Sequence, residues 1–236
     1  MRQVLNRQGV NMYVIAFANP KGGTGKTTAA LLLAEQITDA GARVGVMDCD
    51  PNQNIVTWGK ERESSNRQTP FRIFARPQED QVVEEIDNLD GHVDYLLVDL
   101  EGTAAQIVTF VLSRTDLVVI PFEPTPMETR QAARAVNLVK TTSRMMRRNI
   151  AYVLLLTRTN AAFQTSDERD VRTETNEIPV LSATLVRRAA FTRIFRDASL
   201  LSELNDGQVS NVSQAIVNAR AYAQAIMDRL KQTEAA

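Results

Sequence analysis

The sequence holds one cysteine and one histidine in 236 residues. A disulfide within the chain is therefore excluded, and so are zinc sites built from Cys and His. A Ser-His-Asp triad would have only His92 as its base. His92 stands in Asp90-Gly91-His92, which reads as a turn. No stretch approaches the roughly 18 uninterrupted apolar residues of a membrane-spanning helix. Residues 1–11 lack the apolar run of a secretory signal and read as a short extension. A cytoplasmic location is expected. Neither sign of charge dominates: Lys plus Arg is 27, Asp plus Glu is 28, and the net charge is −1. This excludes a histone-like polycation but permits a local basic patch. Chemistry is left to carboxylates, lysines, hydroxyls and a bound metal.

The apolar fraction is 44%, too high for a disordered chain and sufficient for a core. Apolar runs alternate with helical patterns. Strands are expected at 12–18, 43–48, 71–75, 94–100, 116–122, 150–157 and 178–185. Helices are expected at 27–40, 53–63, 78–89, 103–113, 127–147, 159–176 and 211–231. Near-continuous apolar strands are buried on both faces. The expected fold is therefore α/β: one mostly parallel twisted sheet of about seven to eight strands with helices on both faces. No repeat or linker divides the chain, so residues 12–236 read as one domain.

The most informative segment is Pro20-Lys21-Gly22-Gly23-Thr24-Gly25-Lys26-Thr27-Thr28, between a strand and a helix. Glycines let backbone N–H groups approach phosphate oxygens, and a helix N-terminus adds free donors. Lys26 would reach the β/γ-phosphates, and Thr27 would offer its hydroxyl to Mg²⁺. Pro20 replaces the first glycine of the general phosphate-loop pattern, and Lys21 adds a second cation. Two lysines suggest charge stabilisation of phosphoryl transfer from two directions. Carboxylates at strand C-terminal ends face the ligand crevice of a parallel sheet. Asp50 is placed to orient the attacking water, and Asp99 to hold Mg²⁺, with Asp48 as a helper or a turn-capping residue.

PKGGTGKTT resembles the deviant phosphate loop of the ParA/MinD superfamily of ATPases. Met47-Asp48-Cys49-Asp50-Pro51-Asn52 resembles the D-x-D-P motif of that family, and Tyr95-Leu96-Leu97-Val98-Asp99 resembles its Walker B strand. The resemblance runs from about Met12 to the C-terminal helix. It implies a P-loop NTPase fold, ATP and Mg²⁺ as cofactors, and ATP sandwiched between two protomers. It implies ATP contacts at Lys21, Gly22, Gly23, Thr24, Gly25, Lys26, Thr27 and Thr28, with Arg158 and Thr159 near the adenine. Metal contacts would be Thr27, Asp50 and Asp99, and catalytic roles would fall to Lys21, Lys26 and Asp50, Lys21 reaching the partner's nucleotide. Leu100-Glu101-Gly102 departs from the family, which more often has a small residue with prolines or glycines there.

The ParA branch further implies nonspecific DNA binding through C-terminal basic residues, here Arg187, Arg188, Arg193, Arg196 and Arg220. At about 100° per residue, Arg188, Arg193 and Arg196 would share a helix side within about 140°. Arg144, Arg147 and Arg148 form another basic cluster, and Met145-Met146 reads as core packing or a helix end. The branch implies an ATP-dependent homodimer, a ParB-like or other stimulating partner, and nucleoid association. A phosphate loop near residue 20 leaves no room for an N-terminal helix-turn-helix domain. The end of the chain lacks the aromatic-bearing basic tail of the MinD branch, so no membrane contact is expected. Thr57-Trp58 after DPNQN carries a slight likeness to VirC-type ATPases of conjugative DNA transfer.

Overall fold

The computed structural model describes residues 12–101, 106–160, 166, 168–169, 171 and 178–234. The expected extension at 1–11, Gly102, the start of the fourth expected helix and most of the helix at 159–176 lie outside these residues.

The described strands are β1 (Tyr13–Phe17), β2 (Val44–Asp48), β3 (Arg72–Phe74), β4 (Tyr95–Asp99), β5 (Leu117–Phe122), β6 (Ala151–Thr159) and β7 (Leu185–Val186). They form one sheet in the order β3-β2-β4-β1-β5-β6-β7. Every neighbouring pair is parallel. The helices with described bounds are α1 (Lys26–Asp39), α2 (Asn54–Ser64), α3 (Val82–Asn88), α4 (Gln106–Leu112), α5 (Pro126–Met146), α6 (Ala189–Arg196) and α7 (Val212–Glu234).

β1, β2, β4 and β5 are buried at every position, which explains their unbroken apolar runs. Alternation along β1 feeds two cores. Tyr13, Ile15 and Phe17 pack with residues of α1, α6 and α7 on one face. Val14 and Ala16 pack with residues of α3, α4 and α5 on the other. β1 lies between β4 and β5, where connections leave in opposite directions. Such a switch point opens a crevice at the strand C-terminal ends.

Two expectations need correction. The strand expected at 178–185 is reduced to an isolated Leu154–Val180 bridge and the two-residue β7. Pro179 has no N–H for the ladder. Asn218 of α7 then takes over, accepting from Val186 N at 2.9 Å and donating to Thr184 O at 2.7 Å. Arg188 is the residue before α6, with extended backbone angles, so it shares no helical arc with Arg193 and Arg196. Of the two readings of Met145-Met146 the structure shows the helix end: α5 closes at Met146, and Met145 is 72% exposed.

Candidate functional site

β1 ends at Phe17, and the chain enters the glycine loop through Asn19. Asn19 is buried and works in both directions. Its Nδ2 donates to Pro121 O at 2.7 Å, and its Oδ1 accepts from Lys21 N at 3.0 Å. From the other side, Thr157 Oγ1 on β6 donates to Thr24 O at 2.9 Å. The loop is thus fastened to β5 and β6, two strands far away in sequence. Gly23 and Gly25 have φ of +76° and +98°, the left-handed region that favours glycine. Gly25 immediately precedes α1 and no side chain caps that helix, so its first N–H groups remain available for an anion.

The two loop lysines differ in their surroundings. Lys26 is buried, and its Nζ donates to Asn19 O at 3.3 Å and Lys21 O at 3.2 Å. Burial lowers its pKa, while the carboxylates of Asp99, Asp50 and Glu101 act in the opposite direction. Lys21 is partly exposed and forms an ion pair with Glu128 in the first turn of α5. One Glu128 oxygen, Oε2, is buried without a hydrogen-bond partner.

The three aspartates also separate. Asp48 is fully buried and accepts from Ile55 N, Val56 N and Asp50 N at 2.8, 3.2 and 3.2 Å. It therefore anchors the N-terminus of α2, the capping role among its two readings. Asp50 Oδ1 accepts from Asn52 N and Asn52 Nδ2 at 2.8 and 2.9 Å, and Asp50 lines the cavity over the loop. Asp99 is buried, and neither of its oxygens has a hydrogen-bond partner of ordinary geometry. Burial pushes its pKa up to about 7; the nearby Thr27 hydroxyl and Lys26 oppose this, and Asp48 and Asp50 add to it. An orphaned buried carboxylate beside a hydroxyl and a lysine suits a hydrated cation held chiefly by phosphates. Among the described residues no group of three or more His, Cys, Asp or Glu could hold a metal by itself. Thr27 and Asp99 fit the expected metal contacts, while Asp50 faces the cavity with its Oδ1 already engaged.

A cavity of about 530 Å³ lies over the loop, lined by Gly22, Lys26, Thr27, Asp50, Trp58 and Arg158 among others. A second, of about 320 Å³, adjoins it beyond Gly25 and Thr28, between β6, β7 and α6. Arg158, Arg187 and Arg188 line this second cavity. Glu123 bridges two of them, accepting from Arg187 at 2.6 Å and Arg158 at 3.4 Å. Thr159 lines neither cavity; it is buried, and its hydroxyl bonds Thr184 at 2.9 Å. Arg158, expected with Thr159 near the adenine, is the one of the two that lines both cavities. A larger cavity of about 700 Å³ lies at α2 and β3, away from the loop, with Lys60, Arg67 and Phe71 in its wall.

The expected DNA-binding arginines do not form one free surface. Arg187 and Arg188 border the loop-side cavity, and Arg193 is paired at 2.6 Å with Asp197, the residue that follows α6. Arg196 and Arg220 are exposed. Glu101, the departure from the family pattern, faces Arg76 at 3.8 Å. Asn19, Thr157 and Glu128 were missed in the sequence, because each acts on a residue brought near only by the fold; Glu123 reads there as part of the turn 123–125 beside the adenine.

Comparison with known proteins agrees with this geometry. A family model described as VirC1 protein matches residues 12–234. The chain belongs to the VirC1 protein family. A Protein ParA of Rhizobium radiobacter is 29% identical over 223 residues, covering 94% of this chain and 99% of the relative. A Protein virC1 of the same organism is 27% identical over 202 residues, covering 83% and 86%. Among solved structures, an McdA variant from Cyanothece complexed with ATP superposes with a TM-score of 0.74 at 14% identity, covering 93% of this chain and 98% of that one. At that identity the likeness establishes the fold, a P-loop NTPase sheet of the ParA/MinD type.

Proposed function

We propose that this VirC1-family chain is a Mg²⁺-dependent ATPase whose ATP-bound homodimer binds DNA without sequence preference. With a ParB-like or other stimulating partner it would segregate or position a plasmid or another DNA cargo. The observation that carries the nucleotide reading is the orphaned Asp99 carboxylate beside Thr27 and Lys26, under a glycine loop fastened at both ends. Relatives named ParA and virC1 support the class of cargo.

The residues divide the work as follows. Backbone N–H groups from Gly22 to Thr28 would bind phosphate oxygens, and Lys26 would turn from the carbonyls of Asn19 and Lys21 to the β/γ-phosphates. Thr27 and, through water, Asp99 would hold Mg²⁺. Bound there, that ion would neutralise charge on the phosphates. Asp50 would orient the attacking water through the oxygen that Asn52 leaves free. Lys21 would cross to the partner's nucleotide after leaving Glu128. Arg158, which lines both cavities, would lie beside the base.

The VirC1 family match supports a second cargo, a conjugative DNA-transfer complex. Among the described residues no helix is long and apolar enough to cross a membrane, and we infer a cytoplasmic, nucleoid-associated protein. The test is binding to random-sequence duplex DNA without nucleotide, with ADP–Mg²⁺ and with ATP–Mg²⁺, across a salt series. Binding with ATP alone, steeply salt-dependent, is expected. No binding in any state, with ATP binding intact, removes DNA from the reading. Lys26→Ala should abolish ATP binding, and retained tight binding would reject the phosphate-loop assignment.

A further inference from the structure

We propose that the exposed face of α5, rather than the arginines around α6, is the surface that meets duplex DNA. This rests on the DNA-binding reading above and gives it a location. α5 has 21 residues, and its only acid, Glu128, is buried against Lys21. Its outward residues include Arg130, Arg134, Lys140 and Arg144, all exposed. At about 100° per residue these four lie within about 120° of one another, opposite the buried Ala132, Ala135 and Val139. Among the described residues none of the four has an ion pair; Arg134 touches Gln131, and Lys140 lies over the Tyr152 ring. Arg147, exposed at the C-terminal end of α5, extends the row.

Chemistry selects the occupant. At 1.5 Å per residue, Arg130 to Arg144 spans about 21 Å, roughly six base-pair steps of duplex. Between the cations the face carries Ala133, Asn137 and Thr141, short side chains that let a phosphate backbone come close. A protein partner would need a central aromatic or aliphatic anchor, and a lipid surface a continuous apolar side. The exposed Met127 and Met145 stand at the two ends, about 27 Å apart by helix rise, and supply neither. A uniform polyanion is what this face complements. The ridge also begins two residues after Glu128, the partner of Lys21, so one helix carries both. By contrast Arg187 and Arg193, counted in the sequence as DNA contacts, already hold carboxylates.

The experiment compares the full chain with two variants, one combining Arg130→Ala, Arg134→Ala and Arg144→Ala, the other Arg196→Ala and Arg220→Ala. ATP binding is measured first on each, which reports the fold independently. DNA affinity is then measured with ATP–Mg²⁺ on a random-sequence duplex across a salt series. The α5 variant should keep ATP, lose affinity at least about tenfold, and have a shallower salt slope by about 0.9 for each contact removed. Unchanged affinity in the α5 variant, with loss in the α6–α7 variant, overturns the ridge and leaves the function standing. Absence of DNA binding by the unaltered chain with ATP bound overturns both. Arg130-dependent capture of phosphatidylserine–phosphatidylcholine vesicles or polyglutamate in place of duplex would overturn DNA as the occupant.

Discussion

The arginines near α6 and those along α5 look alike in sequence but differ in what surrounds them. Around α6, Arg187 holds Glu123, Arg193 holds Asp197, and Arg188 borders the cavity beside the phosphate loop. Arg62 on α2, packed against the same region, is completely buried, bonding Glu203 at 2.7 and 2.8 Å, Ala198 O and Gln68 O. Along α5 the cations face water, with no acid on the exposed side. A run of positive charge in a sequence thus says little about which charges are free. Engaged arginines stabilise the fold and shape the site. Free ones remain for a partner.

The first way to break this comparison is at Arg62, where the largest effect is expected. Glu203→Ala leaves a buried guanidinium without its carboxylate, though two carbonyls still accept from it. Glu203 is about a third exposed, which tempers the loss. A destabilisation of about 2–3 kcal/mol in urea unfolding is expected. The hydrogen bonds from Arg62 hold the Glu203 pKa below its ordinary 4.5. Its contribution is thus full above about pH 4.5 and is lost as pH falls through the lowered native value. Unfolding midpoints followed downward from pH 6 should converge between the natural chain and Glu203→Ala. A constant gap would mean that the pair contributes packing alone.

Much of the fold was legible for one reason. β1, β2, β4 and β5 are buried on both sides, so each is written as an uninterrupted apolar run. The phosphate loop was legible because its glycines, lysines and threonines are contiguous. What escaped is what the fold assembles across distance. Asn19 meets Pro121, Thr157 meets Thr24 and Lys21 meets Glu128, each pair more than 100 residues apart. Arg188 was placed on a helical arc because charge spacing alone does not show where a helix begins. The shortness of β7 follows from Pro179 and from the reach of Asn218 across from α7.

The second break concerns Lys21, a cation engaged in this monomer and needed elsewhere in the proposed dimer. Glu128→Gln removes the charge that holds it while keeping the side chain's size. Lys21 is 40% exposed, so the pair is worth no more than about 1 kcal/mol. Two such pairs are given up per symmetric dimer, so we expect ATP-dependent dimerisation at up to about thirtyfold lower protein concentration, read by sedimentation velocity. Weaker dimerisation would show that Glu128 presents Lys21 to the partner rather than retaining it. The Gln variant also removes the charge from the buried Glu128 carboxylate, one oxygen of which has no hydrogen-bond partner. Urea unfolding of the nucleotide-free monomer separates that gain from the gain in association.

The smallest effect is expected where the comparison is sharpest, between Arg193→Ala and Arg134→Ala. Arg193 sits four residues before Asp197 on α6, with a half-buried side chain whose Nε donates at 2.6 Å. Its loss should cost about 0.5 kcal/mol, the usual worth of such a helical pair. Arg134 bonds Gln131 at 3.4 Å on an exposed face and has no ion pair among the described residues, and Ala is at least as good a helix former. Its replacement should leave unfolding within about 0.5 kcal/mol, in either direction. DNA affinity should rank the two in the opposite order. Arg134→Ala would weaken ATP-state binding by about one phosphate contact, and Arg193→Ala would leave the salt slope alone. Such inverse ranking separates a cation that holds the fold from one held ready for another molecule. If stability and DNA affinity fall together at Arg193, α6 serves both purposes and the division between the two regions fails.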